Sequence, residues 1–79
     1  MKLHLHLYAS LASHLPEKSG RNSCTLEVAD GMSIRQLLTQ LEIPENAPKI
    51  LFRNGLHAEL DEIIEDGDRV AIFPPIAGG

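Results

Sequence analysis

Leu3, Leu5 and Leu7 recur at every second position, while Lys2, His4, His6 and Tyr8 take the places between them. Successive side chains of a strand point to opposite sides, so this alternation predicts a strand with one wholly apolar face. Such a face has to be covered, and a chain of 79 residues holds one domain and one modest core to do it. The cover is legible near the middle. Ile34, Leu37, Leu38 and Leu41 fall at i, i+3, i+4 and i+7, the spacing of a single helical stripe. Ser33 stands three residues before Gln36, so that each side chain can satisfy a free amide at the helix start, and Pro44 closes the segment.

The other segments read as further strands. Leu11, Ala12 and Leu15 can form a helical turn, after which Pro16 and residues 17 to 22 read as an exposed loop. A second strand runs from Ser23 to Val28, with Cys24, Leu26 and Val28 on one face, and Ala29-Asp30-Gly31 turns the chain into the helix. Ile50, Leu51 and Phe52 lead into Arg53-Asn54-Gly55, where Asn-Gly supplies the positive backbone angles of a tight hairpin, and a short return strand follows. Leu60 to Glu65 bridges to the Asp66-Gly67-Asp68 turn. Val70, Ala71, Ile72 and Phe73 are then expected to form a buried strand that stops at Pro74-Pro75. The order strand, strand, helix, strand, short strand, strand describes an α+β layer, a mixed sheet of about five strands crossed by one main helix. The first and last strands are the longest apolar ones and are placed side by side in the sheet centre.

Composition narrows the function. A net charge of -4 repels phosphate backbones and anionic lipid surfaces, which argues against nucleic acid and membranes as partners. No apolar run approaches membrane-spanning length, and the alternating first segment lacks the continuous block of a secretory signal, so the mature chain is expected to start near Met1. With Cys24 as the single cysteine no internal disulfide is possible, which fits a reducing cytoplasm. The sequence holds no phosphate loop ending in Lys-Ser or Lys-Thr, no Gly-x-Gly-x-x-Gly and no dense His/Cys cluster. Neither a bound cofactor nor a metal is expected.

The most distinctive chemistry lies in the last residues, Pro74-Pro75-Ile76-Ala77-Gly78-Gly79. Two prolines stiffen the exit from the last strand, and the residues beyond them become progressively smaller. Gly78 and Gly79 lack a Cβ and can pass a channel too narrow for other residues, so residues 1–75 are read as the domain and 76–79 as a flexible tail offering its carboxylate. A carboxylate is ionised at neutral pH and is a poor acyl donor. It becomes reactive once ATP turns it into a mixed anhydride, and that activation has to come from a partner.

The run Asp66-Gly67-Asp68-Arg69-Val70-Ala71-Ile72-Phe73-Pro74-Pro75-Ile76-Ala77-Gly78-Gly79 resembles the C-terminal signature of the molybdopterin synthase small subunit, within the ubiquitin-like sulfur carrier family. The likeness extends more loosely through the Asp30-Gly31 turn and the Arg53-Asn54-Gly55 hairpin. It implies a ubiquitin-like β-grasp fold. It also implies a cycle in which an E1-like adenylyltransferase uses ATP to adenylate Gly79 and a sulfur donor protein converts it to a thiocarboxylate. The tail would then enter the large subunit of molybdopterin synthase, Gly79 bearing the sulfur, Gly78 permitting access, and Phe73, Pro74, Pro75, Ile76 and Ala77 contacting the partner. The carrier itself would be non-catalytic. The same tail would also suit a carrier for thiamine, cysteine or tungsten-pterin synthesis, a ubiquitin-like protein modifier that forms amides with lysines, or a plain binding module whose tail is accidental.

Other residues invite chemistry but have plainer readings. Cys24 lies in an apolar-alternating strand, where a cysteine usually acts as a small hydrophobe. His4 and His6 share a strand face, but two ligands without a third point to a surface rather than to a metal site. The acidic run Glu59, Asp61, Glu62, Glu65, Asp66 and Asp68 reads first as a solvated edge and second as a steering field toward a basic partner. Phe73 is read as a core residue that also contacts a partner beside the tail. His14, in the polar loop, has no role assignable from sequence.

Overall fold

The structure is a computed structural model that describes residues 1–15, 22–47 and 49–74. Five strands form one sheet: β1 (Lys2–Leu7), β2 (Ser23–Glu27), β3 (Ile50–Arg53), β4 (Leu56–His57) and β5 (Arg69–Phe73). Their order is β2-β1-β5-β3-β4. The first and last strands do lie side by side, running parallel with Leu5 beside Val70 and Leu7 beside Ile72, and every other pairing in the sheet is antiparallel. This is the mixed α+β sheet expected from the element order, and it has the ubiquitin-like β-grasp architecture.

The leucine alternation of β1 does what its period requires. Leu3, Leu5 and Leu7 are fully buried, and Val70 and Ile72 of β5 lie on the same side. Helix α1 (Ile34–Gln40) covers that side with Ile34, Leu37 and Leu38, joined by Leu41 at its end. The helix start forms the expected reciprocal cap: the Gln36 N–H donates to Ser33 Oγ at 3.2 Å and the Ser33 N–H to Gln36 Oε1 at 2.8 Å. The next amides also find partners, because Ile34 and Arg35 donate to the carbonyls of Glu62 and Leu60 at 3.0 and 2.9 Å. The 60–64 segment, which the sequence shows only as a bridge, thus lies along the helix start, with Ile64 buried beneath it.

The helix ends before Pro44 is reached. Glu42 takes a left-handed φ of 62°, its N–H bonds to the Thr39 carbonyl, and Ile43 bonds back to Leu38. This is the double bond of a Schellman ending, with buried Ile43 packing where such endings place an apolar residue. The left-handed position is one where glycine normally sits, since a Cβ is strained there. Glu42→Gly should therefore raise stability by about 0.5–1 kcal/mol in urea unfolding, less what the added glycine freedom costs in the unfolded chain.

His14 gains a role that the sequence did not suggest. Ala9–His14 form a 3-10 helix, and His14 Nδ1 donates to the Leu41 carbonyl at 3.0 Å, so this segment closes off the end of α1. The hairpin between β3 and β4 turns as expected at Asn54-Gly55, both with positive φ, at 54° and 83°.

Candidate functional site

The last strand is where the sequence expectation needs correcting. Val70 and Ile72 are buried, but Ala71 and Phe73 are half-buried and lie on the opposite side from the helix. Phe73 is therefore not a core residue. A strand alternates however apolar its run, so the stretch from Val70 to Phe73 divides its residues between the two faces.

On its uncovered side Phe73 joins a line of rings across the sheet. It stacks on Tyr8 with ring centres 4.4 Å apart and planes within 5°, and meets the edge of Phe52 at 5.7 Å. Tyr8 in turn lies 6.4 Å from His6, and Phe52 lies 4.6 Å from His57. Aromatic pairs at such separations add stabilisation beyond the area they bury. The line crosses β1, β5, β3 and β4 and holds Phe73 from both sides just before Pro74. The end of β5 is consequently fixed by its neighbours on both flanks.

Two shallow hollows flank Arg69 and Ala71 on the same side. One of about 260 Å³ is lined by Phe52, Gly55, Arg69, Ala71 and Phe73. The other, of about 390 Å³, is lined by His4, His6, Tyr8, Arg69 and Ala71. Sequence reasoning passed over Tyr8, Phe52, His57 and Arg69 as site residues. The parity of β5 held a usable signal: with Val70 assigned inward, Arg69, Ala71 and Phe73 had to face out together.

The acidic run is largely engaged within the fold. Asp68 is buried and accepts from Arg53 Nη1, Asn54 Nδ2 and the Glu65 N–H at 2.9, 2.9 and 2.8 Å. Burial pushes its carboxyl up, but these donors outweigh burial and hold it below the usual range. Glu62 is lowered first by the Glu59 N–H and then by Arg53. Asp61 pairs with Arg35, and Asp66 accepts the Lys2 N–H. The run thus ties the approach to β5 to the β3–β4 hairpin, to α1 and to β1.

Cys24 packs partly buried against the core, and His4 Nδ1 lies 3.4 Å from Thr25 Oγ1. Among the described residues no three His, Cys, Asp or Glu side chains gather as metal ligands, and no helix is long and apolar enough to cross a membrane. Pro74 is half-buried at the end of β5. Pro75, Ile76, Ala77, Gly78 and Gly79 lie outside the described residues, as does the boundary expected between residues 75 and 76.

Comparison with known proteins gives a match to the ThiS family over residues 10–79, a span that takes in α1, all strands but β1, and the Gly-Gly end. The chain belongs to the ThiS family. Among its relatives, the molybdopterin synthase sulfur carrier subunit of Chlamydomonas reinhardtii is 32% identical over 71 residues, covering 80% of this chain and 86% of that one. Solved structures share the fold. The small archaeal modifier protein 1 of H. volcanii superposes with a TM-score of 0.74 at 22% identity, covering 95% of this chain and 98% of that one. A complex of subunits 1 and 2 of the molybdopterin-converting factor from Helicobacter pylori includes a chain matched at a TM-score of 0.64 and 16% identity, with full coverage of both chains. At these identities the two structures speak for the ThiS-family fold alone.

Proposed function

We propose that this chain, a sulfur carrier of the ThiS type, carries its sulfur as a thiocarboxylate on Gly79 and delivers it as the small subunit of a molybdopterin synthase. The observation that carries the reading is the reach of the family match through Gly79, together with a relative that bears the name of a molybdopterin synthase sulfur carrier subunit. The fold supports it physically. β5 is hydrogen-bonded on both sides, to β1 and β3, and its last residue is clamped between Tyr8 and Phe52. A tail continuing from that strand starts from a rigid base.

The Gly79 carboxylate attacks the α-phosphorus of ATP and displaces pyrophosphate, leaving an acyl-adenylate. A hydrosulfide equivalent from a donor protein then attacks the acyl carbon, and AMP departs with the C–O bond electrons. The product is the thiocarboxylate, a better nucleophile than the carboxylate it replaces. An E1-like adenylyltransferase supplies the ATP step, and the large subunit of the synthase receives the sulfur.

Intact mass tests this reading. Incubated with the activating enzyme, ATP and sulfide, the chain should gain the difference between one sulfur and one oxygen atom, and no more. An unchanged mass would remove the carrier chemistry. Branched species joined to other proteins would assign the chain to protein modification instead, and a stable complex with a thiazole or cysteine synthase would move it to another pathway.

A further inference from the structure

Asn54 and Gly55 serve the hairpin as its turn, and the same two residues carry a chemistry of their own. Of the three asparagines in the chain, Asn22 precedes Ser23, Asn46 precedes Ala47, and only Asn54 precedes a glycine. The backbone nitrogen of a following residue can attack an asparagine side-chain carbonyl carbon, and glycine leaves that nitrogen unshielded because it has no Cβ. Gly55 is exposed, with open space where a Cβ would stand. The nucleophile is therefore unobstructed.

The folded chain restrains the other reactant. Asn54 Oδ1 accepts the Arg69 N–H at 2.9 Å, and Asn54 Nδ2 donates to Asp68 Oδ1 at 2.9 Å. The Asn54 N–H donates in turn to the Arg69 carbonyl at 2.8 Å. The side-chain amide is thus held at both of its polar atoms, one facing a donor and the other an acceptor. To bring Cγ onto the Gly55 nitrogen, the side chain has to leave both partners, and one of them is the buried Asp68 carboxylate. Leaving a charged acceptor costs more than leaving a neutral one.

We propose that Asn54 is a site of spontaneous deamidation guarded by the fold, which reacts when the hairpin opens and then leaves a hairpin that no longer locks onto β5. The deprotonated Gly55 nitrogen bonds to Asn54 Cγ, the Cγ–Nδ2 bond breaks, and ammonia departs. The proton given up by the Gly55 nitrogen is balanced by the one that the leaving nitrogen takes from water. Water then opens the cyclic imide at either carbonyl, giving aspartate or an isoaspartate whose main chain runs through the former side chain. Neither oxidant nor reductant is required.

Both products misfit the site. Aspartate can still accept the Arg69 N–H, but its second oxygen takes the place of Nδ2 and faces Asp68 Oδ1. A hydrogen bond of 2.9 Å becomes a contact between two carboxylates, which repel most where water is excluded. Arg53, which faces Asp68, is already shared with Glu62 and has no charge to spare. Isoaspartate lengthens the main chain within a tight turn and so disturbs the register that sets Arg53 opposite Leu56.

Intact mass and peptide mapping of the full chain, incubated in mildly alkaline buffer with and without denaturing urea, test the proposal. In urea Asn54 should convert while Asn22 and Asn46 lag behind. In the folded chain the same conversion should be roughly tenfold slower or more, because reaction waits on a local opening. Asn54→Gly suits the left-handed position and carries no amide, so it should remove the mass shift. Asn54→Asp should melt below the unsubstituted chain at neutral pH, and the gap should shrink below about pH 4 as the carboxyls are protonated. Equal rates with and without urea would overturn the guarding role. An Asn54 that stays intact in urea would overturn the site itself, and an Asn54→Asp chain as stable as its parent would overturn the consequence for the hairpin.

Discussion

Deleting Gly79 is expected to abolish sulfur transfer completely while leaving the thermal transition of the domain in place. The first half follows from the chemistry. The acyl group that is adenylated would then belong to Gly78, one residue short of the attacking sulfur, and a displacement of even about 1 Å at a reacting centre can cost roughly a hundredfold in rate. The second half follows from where the stability resides. Among the described residues every buried apolar residue of the core lies between Leu3 and Ile72, and chain termini that are not tied down contribute little to the folded state. Activity would be read as sulfur transferred to the synthase, and stability by circular dichroism. Retained transfer would contradict the assignment, and a collapsed melt would show that the tail also braces the fold.

Asp68→Ala is expected to have the largest effect on stability of any single polar change. It removes the acceptor shared by Arg53, Asn54 and the Glu65 N–H, leaving Arg53 with Glu62 alone and the other two donors without this partner. Breaking a buried charge pair on one side costs about 3 kcal/mol. For a domain of this size that lowers the melting temperature by roughly 15 °C. The effect should depend on pH in a defined sense. The Asp68 carboxyl is held below its ordinary value in the folded state, so its contribution is present in full above the unfolded pKa of about 3.9 and lost as pH falls through the lower folded value. Urea unfolding at neutral pH should separate the two proteins widely, and the gap should narrow below about pH 4. A gap that stayed constant on acidification would mean that Asp68 acts through packing rather than charge.

Much of this architecture was legible in the sequence because its signals are periodic. The alternation of Leu3, Leu5 and Leu7, the stripe of α1 and the Asn54-Gly55 turn each carry a spacing that one backbone geometry satisfies. The pairing of β1 with β5 followed from their shared apolar length. The open face was harder to read, because Val70 to Phe73 is a continuous apolar run and such a run has no visible phase. Only neighbouring Arg69 marks which residues face outward. The contacts of His14 with Leu41 and of Asp68 with Arg53 join residues 27 and 15 positions apart, and no local pattern announces a meeting at that range. Glu42 was hidden for a different reason. A left-handed residue is ordinarily marked by glycine, and here tertiary packing of Ile43 overrides that preference.

The central place of β5 has a consequence for how the molecule is made. Without that strand, β1 and β2 on one side and β3 and β4 on the other share no hydrogen bonds in the sheet, and each is left as a two-stranded ribbon of marginal stability. Synthesis must therefore pass Phe73 before the sheet can close. A copy halted upstream of Arg69 never closes its sheet, and under the carrier function proposed above it would never become a competent decoy for an activating enzyme.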